Sequence, residues 1–182
     1  MPVDCKIFVG GGFDDHVTHI VENYAARYAT ANPAAQVHYH SWKRGGAIRA
    51  IIDGLTPQDR VTLIGHSYGG DTAFSVVTAT ARAVDILVSI DPVGRFRPAW
   101  TTIRAKARVW LNVRAEPSAE RRTFDDTIAW IGGQYPRPPA PGQAGAPDFG
   151  IIANATHGAF STMMNASMAG RSGRQLLGGN PA

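Results

Sequence analysis

The chain has 182 residues, long enough for one domain with a full core; its 44% hydrophobic content is ordinary for a soluble globular protein and its 18% charged content somewhat low. Its net charge of +4 comes mostly from arginines, but Arg95, Arg97, Arg121, Arg122, Arg171 and Arg174 are scattered, with no block and no aromatic interleaving, so nucleic-acid binding is not expected. A single cysteine, Cys5, excludes an intrachain disulfide and a cysteine metal cluster.

The opening MPVDCKIFVGGG has no basic region ahead of a long apolar stretch, and no apolar run approaches the ~20 residues of a spanning helix. The chain is therefore expected to be soluble and cytoplasmic at synthesis, with peripheral membrane contact and leaderless export left open.

Lys6 to Val9 forms a short apolar strand ending on Gly10-Gly11-Gly12. Val17, Ile20, Val21, Tyr24, Ala25 and Tyr28 then fall on one helical face, stopped by Asn32-Pro33. Gln36 to Trp42 alternates like a strand, Ile48, Ile51, Ile52 and Leu55 mark a second amphipathic helix, and Val61 to Ile64 is again a strand. A helix from about Gly70 to Ala83 follows. Asp85 to Ile90 and Arg108 to Val113 read as strands, Thr127 to Ile131 as a short helix, and Phe149 to Ala153 as the last strand. Phe160, Met163, Met164 and Met168 mark a final helix, with the methionines as core filler, and residues 170–182 read as a frayed tail.

This alternation predicts an α/β fold: one domain over 1–182, a three-layer sandwich around a mostly parallel sheet of about six strands. Residues 132–148, crowded with proline and glycine, form a long loop of the kind that is usually functional; it is expected to be a movable wall of the substrate pocket.

The chemistry concentrates in VTLIGHSYGG. Gly65-His66-Ser67-Tyr68-Gly69 is G-x-S-x-G between a strand and a helix. A serine that attacks a carbonyl projects from a sharp, strained turn, and side chains two residues to either side would collide with the neighbouring strand and helix. The turn also sets the Tyr68 amide beside the serine oxygen at the positive end of a helix.

Serine needs a base, and the base needs an orienting acid. His157 is the only histidine C-terminal to Ser67. For the acid, Asp91 leads, at the end of the strand after the serine, where Pro92 is expected to keep it extended. Glu116 stands one strand later, and Asp125 and Asp126 come third. The second oxyanion donor is expected from Gly12 or Phe13. His66 is expected to point away from the serine as a packing or rim contact.

These motifs make the chain resemble the alpha/beta-hydrolase superfamily, its small bacterial lipase and esterase members in particular. The SIDPV segment resembles lipases that carry the acid on the strand after the nucleophile. The family pattern implies eight strands, where six are read here, so the resemblance implies a minimal version of the fold lacking the antiparallel N-terminal pair. Some members carry a histidine before the oxyanion glycines; here that position is Val9.

The expected activity is hydrolysis of a carboxylic ester, a lipid or acyl ester with phospholipids included, through an acyl-enzyme and without a cofactor. Phe13, Tyr68, Phe96 and Trp100 are expected to line an open apolar pocket. The same machinery serves an acyltransferase or thioesterase, and from another class the chain could be a catalytically silent binding module. Asp14, Asp15, His16 and His19 lack a third convergent metal ligand and read as a solvated first turn, and His38 and His40 share a strand face without partners.

Overall fold

The computed structural model describes residues 1–94 and 98–178. Six strands form one all-parallel sheet: β1 (Asp4–Gly10), β2 (Gln36–Ser41), β3 (Arg60–His66), β4 (Val84–Ile90), β5 (Ala107–Ala115) and β6 (Phe149–Ala153), in the spatial order β2-β1-β3-β4-β5-β6. Strands that run the same way need crossovers, and helices on both faces supply them. The central strands are buried on both faces, so β3 and β4 read as near-continuous apolar runs.

One face packs Phe8, Ile64, Val88 and Leu111 against α1 (Ile20–Ala31) and α6 (Phe160–Asn165). The other packs Ile7, Val9, Leu63, Leu87 and Trp110 against α2 (Gly45–Gly54), α3 (Tyr68–Ala79) and α4 (Trp100–Lys106). The sheet is thus the middle of three layers, with the expected number of strands. A further helix, α5 (Phe124–Gly132), caps its first turn through Thr123 and Asp126.

Several expectations at element ends are corrected. The first helix does not begin at Val17. A short π-helical turn spans Asp14–Thr18, His19 adopts a left-handed conformation (φ 48°), and α1 starts at Ile20, leaving Val17 71% exposed. Asp14 is not solvated: it is buried, and its carboxylate accepts the Val21 and Glu22 amides (2.9 and 3.1 Å) and the Tyr39 hydroxyl (2.8 Å). The unpaired amides of a helix start need an acceptor, and here it comes from six residues upstream of Ile20.

Helix α3 begins at Tyr68, directly on the serine, and ends at Ala79, where Thr80 turns extended. Helix α4 lies in a stretch read as connection only; its Ile103 is fully buried. Helix α6 stops at Asn165, and Met168 sits 42% exposed in a two-residue antiparallel hairpin, β7 (Ser167–Met168) with β8 (Arg171–Ser172). The tail is not frayed through residue 178: α7 (Gly173–Leu176) follows, Leu177 is buried, and Tyr28 Oη donates to its carbonyl (2.9 Å). Residues 179–182 lie outside the described part. Among the described residues, no helix is long and apolar enough to cross a membrane.

Candidate active site

All six strands point the same way, so the loops leaving β1, β3, β4 and β6 gather along one edge. Ser67 leaves β3 with φ 56° and ψ −129° and is at once the N-cap of α3. This is a strained conformation for a residue with a side chain, costing about 1–3 kcal/mol, and its surroundings hold it. Ser67 N–H donates to Ile90 O (3.1 Å), and Ser67 O accepts from Gly70 (2.8 Å) and Val93 (3.0 Å). A Cβ on Gly65 would lie 2.3 Å from Gly69 O, and one on Gly69 would lie 2.2 Å from Val9 O. Here strand and helix backbones touch, so only glycine fits.

His157 lies in the loop between β6 and α6. Its Nε2 is 2.9 Å from Ser67 Oγ, and its Nδ1 is 2.7 Å from Asp91 Oδ2. Asp91 is fully buried, and Ser67 and His157 are each 8% exposed. The three residues thus form one continuous hydrogen-bonded chain, with His157 lying 90 residues after Ser67 and 66 after Asp91 in sequence.

Asp91 is not extended as expected. Its φ is 39°, in the left-handed region that aspartate tolerates better than most residues. Pro92 disfavours the right-handed helical region for its neighbour but leaves this turn open. Through it the Asp91 amide reaches Val113 O (2.7 Å), and the second carboxylate oxygen accepts from Ala115 N–H (3.1 Å) and Gln134 Nε2 (2.7 Å).

Of the other carboxylates considered, Glu116 pairs with Arg137 and Arg114 (2.9 Å each). Arg137, with Arg114 behind it, holds the Glu116 carboxyl below its usual range. Asp126 touches His157 by its backbone: Oδ1 accepts the His157 N–H (2.7 Å), while Oδ2 caps α5. Asp125 abuts Gly158.

The His66 ring does not sit at a rim. It is buried, stacks on the His157 ring (centroids 4.9 Å apart, 30° between planes) and donates from Nε2 to the His157 carbonyl (2.8 Å). Burial, with the neighbouring His157 adding to it, pushes the His66 imidazole down to about 4. The folded ring thus stays neutral over a range in which the unfolded one, near 6.5, takes up a proton. His66 therefore favours folding fully above about pH 6.5, and that contribution is lost as pH falls towards 4, by roughly 1 kcal/mol per pH unit. Urea unfolding at about pH 7 and about pH 5 should show the loss, and His66→Gln should shrink the pH slope. An unchanged slope would assign the effect elsewhere.

The cleft over Ser67 is small, about 70 Å³, and mainly apolar. Phe13 and Tyr68 line it as expected, together with Gly11, Gly12, Val93 and, from α5, Ile128 and Ala129. Gly11, rather than Gly12, packs against Ser67: a Cβ there would lie 2.7 Å from Ser67 Cβ, whereas Gly12 faces the Tyr68 ring. Among the described residues, the amides of Tyr68, Gly12 and Phe13 donate to no protein acceptor.

Trp100 is not in the cleft. It starts α4 and packs on Phe74, Trp110 and Tyr135 beneath the opposite face of the sheet. Phe96 lies outside the described residues. The loop over 132–148 is no movable wall of this cleft; α5 is the wall. The start of the loop serves Asp91 instead, through Gln134, which sequence reasoning missed along with the support from His66 and Asp126. Only the Thr123-x-x-Asp126 capping box left a signal.

Comparison with protein-family models and with curated protein sequences gives no match. Among solved structures, the fold overlaps an alpha-beta serine hydrolase homologue from Coxiella burnetii at TM-score 0.52 and 16% identity, over 96% of this chain and 83% of that one. A looser overlap, TM-score 0.48 at 13% identity, covers 97% of this chain and 72% of the metagenomic carboxyl esterase MGS0156. The parallel sheet between helical layers agrees with the first of these. The chain thus has the alpha/beta-hydrolase fold.

Proposed function

We propose that this chain is a serine hydrolase that cleaves carboxylic esters of short acyl groups through an acyl-enzyme. The observation that carries this reading is the chain Ser67–His157–Asp91, made at 2.9 and 2.7 Å around a serine held at positive φ. With Nδ1–H donated to Asp91, Nε2 keeps its lone pair for the serine proton.

In this mechanism Ser67 Oγ attacks the ester carbonyl carbon as His157 Nε2 takes its proton. Charge then develops on the carbonyl oxygen, where the Tyr68 amide at the start of α3 and an amide of Gly12 or Phe13 offer hydrogen bonds. The imidazolium returns the proton to the departing alcohol, which leaves Ser67 acylated. Water, deprotonated by the same Nε2, releases the acid.

A cleft of about 70 Å³ is well below the ~300–1,000 Å³ typical of sites for larger ligands. Its size favours an acetyl or butyryl group over the long chain of a lipid ester. A thioester or an acyl-transfer acceptor could use the same groups, and a chain-length panel that includes thioesters separates these.

The test is labelling with a fluorophosphonate. Folded wild-type protein is expected to take up one equivalent, and Ser67→Ala none. Among p-nitrophenyl esters, acetate and butyrate should turn over at least ~10-fold faster than octanoate, because each added methylene must be placed outside the cleft. A folded wild type that neither labels nor hydrolyses any ester would replace this reading with that of a silent binding module.

A further inference from the structure

The geometry points to Gln134 as a positioning residue for Asp91, one that holds the carboxylate for His157 and weakens its pull on the imidazole proton. This inference rests on the reading of Ser67, His157 and Asp91 as one reacting unit.

Gln134 follows α5, next to the left-handed Gly133 (φ 91°). Its backbone is clasped to the residues just after Asp91. Val93 and Gln134 form an antiparallel bridge, Gly94 N–H donates to Gly133 O (3.0 Å), and Tyr135 N–H donates to Pro92 O (3.1 Å). The side chain then reaches back 43 residues to place Nε2 2.7 Å from Asp91 Oδ1.

The orientation of the amide is set by its other end. Gln134 Oε1 accepts from Arg114 (3.3 Å), whose guanidinium is anchored on Glu116 (2.9 Å) and on the Tyr135 carbonyl. The flipped amide would face its oxygen to a carboxylate and its N–H groups to a guanidinium, which is doubly unfavourable. A connected series thus runs from exposed Arg137 through Glu116, Arg114 and Gln134 to Asp91, His157 and Ser67.

Two effects follow. Asp91 Oδ1 holds two donors, Ala115 N–H and Gln134 Nε2, so the carboxylate cannot rotate Oδ2 away from His157 without breaking them. The amide's positive end also offsets part of the carboxylate charge in a fully buried site, where such dipoles act strongly. Removing it leaves more of that charge to stabilise the imidazolium, so His157 should hold its proton to higher pH. The other titratable and charged groups around the pair are His66 from β3, Asp125 and Asp126 from α5, Arg114 from β5 and Glu116 just after it. None of them changes in the test.

The test is to titrate the His157 imidazole by NMR in wild type, Gln134→Met and Gln134→Glu, assigning the resonance by its loss in His157→Ala. Gln134→Met fills similar space without a donor, and Gln134→Glu keeps the shape with a charge, so either one that folds suffices. The expected result is an upward shift of the His157 titration by about half a pH unit or more in either variant. Where the wild type hydrolyses p-nitrophenyl acetate, the acid limb of kcat/KM should move the same way, with kcat falling by about 10-fold and KM changing less than about 2-fold. An unmoved titration in a folded variant overturns the inference, even if the rate falls. The NMR readout needs no turnover, so failure of the hydrolase reading, an unlabelled and inactive wild type, is distinguishable from failure of this one.

Discussion

Replacing His157 with alanine is expected to lower kcat for p-nitrophenyl acetate by about 10⁴-fold or more, and Ser67→Ala to do the same. His157 Nε2 is the group hydrogen-bonded to Ser67 Oγ, and without it the hydroxyl proton has no base to leave to. The two groups act in one step, so the double variant should be no slower than the worse single one. Asp91→Asn separates the candidate acids. An asparagine amide facing the imidazole would donate to Nδ1 and drive the ring proton to Nε2, against Ser67, costing about 10⁴-fold. Glu116, by contrast, meets two arginines and not the imidazole, so Glu116→Gln should keep kcat within about 3-fold. Steady-state kcat and KM for these five variants settle the matter. A His157→Ala enzyme within about 10-fold of wild type would sink the proposed roles.

What could be read ahead of the structure depended on how local the determining contacts were. Strands β3 and β4 are buried on both faces and announce themselves as apolar runs. Ser67 stood out because Gly65 and Gly69 flank it two residues to either side between a strand and a helix, and His157 because no other histidine follows the serine. The failures involve distant partners. Helix α1 starts late because Asp14 serves its amides from upstream, a contact that apolar periodicity does not encode. Trp100 has the composition of a pocket wall but is claimed by Phe74 and Trp110 on the far face. Asp91 departs from the pre-proline preference because β5 offers it an acceptor at Val113 and donors beyond. Gln134 sits in a stretch whose prolines and glycines suggested a pocket loop, and nothing in its neighbours marks it as a partner of a residue 43 positions earlier.

Gly69→Ala should be the most damaging single methyl group that can be added to the molecule. Its Cβ would lie 2.2 Å from Val9 O, 2.7 Å from Val9 C and 2.8 Å from Gly10 O, and every one of these atoms is backbone. No rotamer change relieves such a clash. Either the end of β1 moves, taking the glycine loop beside Ser67 with it, or α3 tilts away from the sheet. Overpacking in well-packed cores costs about 1–3 kcal/mol where side chains can yield, so about 3 kcal/mol or more is expected here. Fluorophosphonate labelling should be lost even in protein that still folds, because the serine turn and the loop amides shift relative to each other. Gly46→Ala is the control: it lies in α2 with nothing within 4 Å of the added Cβ. There the methyl only restricts the unfolded chain and improves helix propensity, for a gain of about 0.5–1 kcal/mol. Urea midpoints moving in opposite directions for these two substitutions would show that glycine at 69 answers to the approach of α3 to β1. A Gly69→Ala protein as stable and as readily labelled as wild type would refute that packing.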